Sequence, residues 1–430
     1  MNRSVIEKVK EEVEARRQEI TDLCSSLVKF PTVNPPGKTR EAVDFIQSYF
    51  EKAGIKTEIH ERREGKANIR AVIPGGRKGK ILWLGHLDVV PEGDRALWKY
   101  DPYGGVVVGE RIYGRGSSDM KGSCASAMVA ARILSALDPS HICTSEFWFT
   151  CDEETGAKDG VKWLAERGKL SGDVCIIGDS LGLTPETPVM DVGCKGGVTT
   201  IITAEGAAAH GSVPFMGENA IEKLITAIRD IRKIEELRLD VPEVLEPVIA
   251  SSIELYKKTT KLTEAQKTKL DRLFHYPTAS LNIIRGGVKS NVVPDRAEAL
   301  FDVRVTPGAN IEAVKKEISR LLGASGVEGV KVEFKSHEGY YEDPNSKPVK
   351  ALMETVEAAI GTTPKLKLLT GGTDAIFLKM SVDIPCIGFG AGVQGTAHIN
   401  NEYVTIPNLI TATKVYAVFP LLYDVSAPIF

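Results

Sequence analysis

The sequence predicts an α/β protein whose sheet domain is interrupted by an α+β unit of ferredoxin-like order. Three observations point there. Apolar runs at 81–85, 146–151 and 174–178 read as strands buried on both faces, as in parallel sheets. Between 197 and 334 the pattern becomes strand, helix, strand, strand, helix, strand, which is the βαββαβ order. After Tyr341 the first pattern resumes, so the opening domain is completed by the C-terminal stretch. The expected division is 1–195 with 339–430, and an insertion at 196–338. A chain of 430 residues also exceeds what one core usually organises.

Taken in order, 5–29 carries helical periodicity, and Pro31, Pro35 and Pro36 make 32–38 a loop. A helix at 39–53 closes on Gly54, and strands follow at 56–60 and 68–73. The run from Ile81 ends in Gly85-His86-Leu87-Asp88-Val89-Val90-Pro91. The Gly- and aromatic-rich 98–116 leads into small residues at 123–137, a helix packed closely on the sheet. The strand 146–151 runs straight into Asp152-Glu153-Glu154, after which Asp159 is a candidate N-cap. The strand 174–178 ends at Asp179. In the inserted unit, strands are expected at 197–204, 280–284, 297–305 and 330–334, with helices at 219–234 and 311–322. An extra segment, about 235–278, carries a polar helix near 264–274. The C-terminal stretch holds a helix at 347–360, Gly371-Gly372-Thr373-Asp374, a strand at 385–388, Ala397-His398 and a last helix at 406–422.

Composition narrows the function classes. A net charge of -3 gives no electrostatic reason to expect nucleic acid. No apolar run approaches membrane-spanning length, and the charged N-terminus lacks the apolar core of a signal peptide. A cytoplasmic protein is therefore expected. Seven scattered cysteines do not suit a secreted disulfide framework.

Chemistry concentrates at the strand ends. His86 and Asp88 are two apart, so in a strand they share a side, where Asp88 would steady the imidazole. Open α/β sheets bind ligands beyond the carboxyl ends of their strands. Together His86, Asp119, Glu154, Asp179 and His398 offer two imidazoles and three carboxylates, a set that suits two zinc ions with one bridging carboxylate. Glu153 and Glu154 are adjacent and point apart, so one can bind metal while the other faces substrate. The Gly114–Gly116 region lacks the strand-to-helix spacing and Lys-Ser/Thr ending of a phosphate loop.

These residues carry a resemblance. Gly85-His86-Leu87-Asp88-Val89-Val90-Pro91, Tyr113-Gly114-Arg115-Gly116-Ser117-Ser118-Asp119-Met120-Lys121-Gly122 and Asp152-Glu153-Glu154-Thr155-Gly156 are similar to motifs of the M20 di-zinc peptidases and deacylases, in their ArgE/DapE branch. Ala209-His210-Gly211-Ser212-Val213-Pro214, Asn291-Val292-Val293-Pro294-Asp295, Gly371-Gly372-Thr373-Asp374-Ala375 and Ala397-His398 fit as well, in order over nearly the whole chain.

The resemblance implies a zinc-peptidase-type mixed sheet sandwiched by helices, and an inserted ferredoxin-like dimerisation (lid) domain. It implies that His86 binds one metal and His398 the other, with Asp119 bridging and Glu154 and Asp179 completing the ligands. Glu153 becomes general base and acid, Asp88 holds His86, and His210 serves the neighbouring subunit's site in a homodimer. Asn291 and Arg304 grip a substrate carboxylate, Gly372 and Thr373 line the pocket, and the Asp119–Met120 peptide is cis. The cofactor is two zinc ions, with cobalt or manganese as substitutes. The reaction is hydrolysis of an N-acyl amino acid or short peptide. Asp at 179 leans toward the family's dipeptidases, whereas Asp119-Met120-Lys121 leans toward its deacylases.

Overall fold

The computed structural model describes residues 3–182, 184, 186–259 and 262–425. The chain divides into two compact units, 1–193 with 342–367 and 373–430, and 194–341 with 368–372.

The first unit is built on a mixed sheet. Its strands run in the order Thr57–Arg63, Lys66–Ile73, Cys143–Thr150, Arg77–His86, Val174–Ile177, Cys386–Gly388, Val189–Cys194. Arg77–His86 pairs in parallel with both Cys143–Thr150 and Val174–Ile177, and Cys386–Gly388 continues parallel to Val174–Ile177. These middle strands are buried on both faces, which is why they read as unbroken apolar runs. Trp83 anchors the core, with its ring 5.3 Å from Phe149 and 5.6 Å from Tyr416. The helices Gly122–Ser135 and Ile406–Leu422 pack on each other and are buried almost all round, so their sequences are apolar or small throughout.

The second unit holds an antiparallel sheet in the order Thr278–Gly286, Arg296–Val305, Gly196–Glu205, Val330–His337. Alternate residues such as Val198, Ile202, Phe301 and Val303 face the helices Ala220–Ile231 and Ile311–Ala324. Chain order and sheet order together make the ferredoxin-like arrangement. Asn219 caps the first of these helices and Asn310 the second, each accepting from backbone amides of the first turn.

Some elements differ from the sequence reading. The expected helix at 5–29 is two, Arg3–Ala15 and Arg17–Val28, because Arg16 leaves helical geometry at φ -96, ψ 15. The Arg16 guanidinium clamps that joint by bonding both Glu12 and Glu19. Asp159 is not an N-cap. Gly160 stands between it and the helix Val161–Glu166, and the buried Asp159 carboxylate pairs with Arg62, Arg63 and Lys66. Helices Glu246–Thr259 and Asp374–Val382 were not expected, and the polar helix stops at Asp271. No helix among the described residues is long and apolar enough to cross a membrane.

Candidate metal centre

The parallel strands deliver their residues to one end of the sheet. His86 is the last residue of its strand and lies level with Thr150, so Asp152, Glu153 and Glu154 follow just beyond. The pairing of Leu84 with Ile177 carries Asp179 to the level of His86 on the other side. Gly85 has no side chain because Met120 occupies the space. A Cβ there would lie 2.2 Å from Met120 Cε. Met120 follows Asp119 across a cis peptide bond.

Asp119 sits between the two imidazoles. Its Oδ1 is 3.2 Å from His86 Nε2 and its Oδ2 is 3.2 Å from His398 Nε2. Glu154 Oε1 is 3.3 Å from His398 Nε2. Donor atoms of His86, Asp119 and Asp179 lie within 4.8 Å of one another, as do those of Asp119, Glu154 and His398. Two groups that could each hold a metal ion therefore share Asp119. Glu153 joins a third group with His86 and Glu154.

The donors fit divalent cations. His86 gives Nδ1–H to the Asp88 carbonyl at 2.9 Å, which leaves the Nε2 lone pair facing the carboxylates. Among the described residues, buried His86 Nε2 and Asp119 Oδ1 have no hydrogen-bond partner. The charges also call for cations. Burial works to raise the Asp119 carboxyl, but the facing imidazoles of His398 and His86 hold it well below the usual range. The same contacts, with Asp119 first and Glu154 next, lift His398 to about 10. Burial and the crowding of neighbouring carboxylates push both Glu153 and Asp179 well above the ordinary carboxylate range.

Asp88 acts differently from the sequence expectation. Its carbonyl, not its carboxylate, holds His86; Asp88 Oδ1 is 3.8 Å from Nδ1. The carboxylate instead accepts the backbone amides of Glu153 and Glu154, each at 3.2 Å. The strand ends at His86, so strict alternation of side chains no longer applies at Asp88.

Several supporting residues escaped the sequence reading. Buried Glu402 accepts from the amides of Ser118 and Asp119 at 2.9 and 3.1 Å, and pairs with buried Arg115 at 2.6 Å. Arg115 also donates to the Ile399 carbonyl, next to His398, at 3.2 Å. His398 itself has φ +63, a constrained backbone for a non-glycine residue. Asp152 holds the glutamate turn by accepting from Lys66, Thr155 and the Asp159 amide. Asp374, buried beside this turn, has Oδ2 3.4 Å from Thr150 Oγ1, and burial first of all pushes it up to about 7. The charged Arg115 and Glu402 inside otherwise glycine-rich or polar motifs were the available signal.

Thr373 caps the helix Asp374–Val382, so its hydroxyl accepts from the Ala375 amide. His210, Asn291, Arg304 and Gly372 belong to the second unit. His210 is exposed, with Nδ1 2.7 Å from Ser212 Oγ, and pairs with Val292 through a backbone bridge beside Asn291. Arg304 is half-buried, and Asp302 holds its Nε at 2.9 Å.

Comparison with known proteins agrees with this geometry. Residues 82–421 match the model of Peptidase family M20/M25/M40. A probable succinyl-diaminopimelate desuccinylase of Staphylococcus aureus is 29% identical over 93% of this chain and 98% of its own length. The succinyl-diaminopimelate desuccinylase of Rhodospirillum centenum is 26% identical over 92% and 94%. An M20 family metallo-carboxypeptidase of Sulfolobus solfataricus superposes with TM-score 0.77 at 23% identity, covering 94% of this chain and 99% of that one. A dinuclear metal binding M20 peptidase of Bacillus subtilis gives TM-score 0.63 at 16% identity, covering 95% and 98%. With the family model spanning most of the chain, the protein belongs to peptidase family M20/M25/M40 and is a metal-dependent hydrolase of amide bonds.

Proposed function

We propose that the protein removes an N-acyl group from an amino acid with a free carboxylate, using two zinc ions for which cobalt or manganese can substitute. The observation that carries this reading is Asp119, whose two oxygens each face a different imidazole. His86 and Asp179 would complete one ligand set, Glu154 and His398 the other. When bound, the metals would supply Lewis-acid polarisation of the amide carbonyl and a water acidic enough to ionise near neutral pH.

The chain's own groups do the rest. Glu153 takes the proton of the attacking water and returns it to the leaving nitrogen. Its position beside Glu154, in one donor group with His86, places a single carboxylate where it can serve both steps. The Asp88 carboxylate steadies Glu153 through its backbone amide. His210 donates to the developing oxyanion of the neighbouring subunit in a homodimer formed through the second unit. Asn291 and Arg304 grip the substrate carboxylate, and Gly372 and Thr373 line the pocket. The desuccinylase relatives favour an acylated amino acid as substrate. A carboxypeptidase or dipeptidase reading is second, and Asp at 179 favours the dipeptidase side of it.

The protein would work in the cytoplasm on small molecules, with no role for nucleic acid. A panel of N-acyl amino acids and dipeptides, assayed with zinc or cobalt, tests the reading. Chelator-sensitive release of an acyl group is expected. Hydrolysis of dipeptides alone supports the second reading, and binding without hydrolysis of any panel member contradicts both.

A further inference from the structure

The second unit has a notch on the sheet face opposite its helices. Arg304 lies directly across from Gly197 on one side, and His337 directly across from Gly197 on the other. Residues opposite each other in neighbouring antiparallel strands project to the same face. Val303 and Val305 face the helices, so Arg304 and His337 both face away from them. Strands lie about 4.8 Å apart, so the two side chains stand roughly 10 Å apart at their Cα atoms, with glycine between.

The imidazole leans into that gap. A Cβ on Gly197 would lie 2.7 Å from His337 Cε1, and its three nearest heavy atoms all belong to this ring. Asp302 meanwhile fixes the guanidinium, its Oδ2 accepting from Nε and Nη2 at 3.1 Å each. His337 is exposed, and partial desolvation, then the charge of Arg304, lower the affinity of its imidazole for a proton. A neutral imidazole offers one N–H donor and does not compete with Arg304 by charge.

We propose that His337 is the second donor to the substrate carboxylate held by Arg304, with Gly197 as the bare floor that lets both reach one group. The inference rests on the reading of Arg304 given above. It makes His337 a residue that selects substrates ending in a free carboxylate over otherwise identical neutral ones.

The test compares one N-acyl amino acid with its carboxamide, using the full metal-loaded enzyme and reading kcat/KM, or Kd where turnover is below detection. His337→Ala should lower the value for the carboxylate about tenfold or more, through KM, and leave the carboxamide unchanged. His337→Gln, which keeps an N–H donor, should recover much of the loss. Gly197→Ala should act like His337→Ala, because its methyl displaces the ring. Equal losses on both substrates would overturn the proposal, since a merely structural residue behaves that way. If Arg304→Lys alters the preference and His337→Ala does not, the proposal fails and the reading of Arg304 stands. If neither alters it, that reading fails as well, and the proposal with it.

Discussion

Asn34 donates its side-chain amide to Asp88 Oδ2 at 2.8 Å, with both residues buried. The same Nδ2 is 3.1 Å from Asp152 Oδ1. One amide thus ties together the two carboxylates that hold the Glu153–Glu154 turn, Asp88 through the glutamate amides and Asp152 through the amide of Asp159. Asn34→Asp puts a third carboxylate between two others while keeping the shape. Turnover should fall about tenfold or more with the fold intact, since a lost buried partner costs about 1–3 kcal/mol. Steady-state kinetics alongside circular dichroism checks this; unchanged kcat would show that the turn keeps its geometry without Asn34.

The adjacent glutamates should separate by chemistry. Glu153→Gln is expected to keep the metals and lose turnover by at least about a hundredfold. Glu154→Gln should weaken metal binding, because Glu154 faces His398 beside Asp119. Metal content and kcat measured on both variants decide between them. Equal metal loss in both would undo the division of roles.

Much of this site was legible because apolar strands broke off into acids and imidazoles at the same end of the sheet. Donor atoms of His86, Asp119 and Asp179 lie together, as do those of Asp119, Glu154 and His398. What failed was the use of strand rules beyond a strand's end. Asp88 was expected to reach His86 by side chain, yet the chain has left extended pairing by then and the carboxylate turns to the glutamate amides. Asp159 looked like a cap, but three nearby cations hold its carboxylate, and that competition comes from strands far away in sequence. The Arg115–Glu402 pair joins residues 287 apart, which no local pattern encodes. In the second unit, alternation gave the strands correctly because one face packs on helices and the other does not.

Lys195 should leave a mark on stability. It is fully buried, gives its ammonium to the Leu273 carbonyl, and lies 5.3 Å over the Phe274 ring. Burial, followed by the charge of Arg304, pushes it from the ordinary 10.5 down to about 7. Between those values the unfolded chain binds a proton that the folded chain does not. Folding therefore gains stability as pH rises through that window, and the gain is absent below about pH 7. Urea midpoints of wild type and Lys195→Met, compared at about pH 6.5 and about pH 9.5, should shift in favour of wild type at the higher pH. Parallel behaviour of the two proteins would show that Lys195 stays protonated throughout.

The proposed dimer makes a separate demand. If each site combines Glu153 of one subunit with His210 of the other, Glu153→Ala and His210→Ala homodimers should both be nearly inactive. A mixed dimer would carry both lesions in one site and none in the other. Random reassembly makes about half the dimers mixed, so about a quarter of wild-type activity should return. A mixture that stays inactive while mixed dimers form would confine His210 to its own chain or exclude it from the reaction.

The central claim is that one carboxylate, Asp119, serves two metal sites. Metal analysis of dialysed wild type and Asp119→Ala tests it directly. Wild type should hold two divalent ions per chain, and Asp119→Ala should lose both, because each ligand group is left with one imidazole and one other carboxylate. Retention of two ions by Asp119→Ala, or no more than one in the wild type, would contradict it.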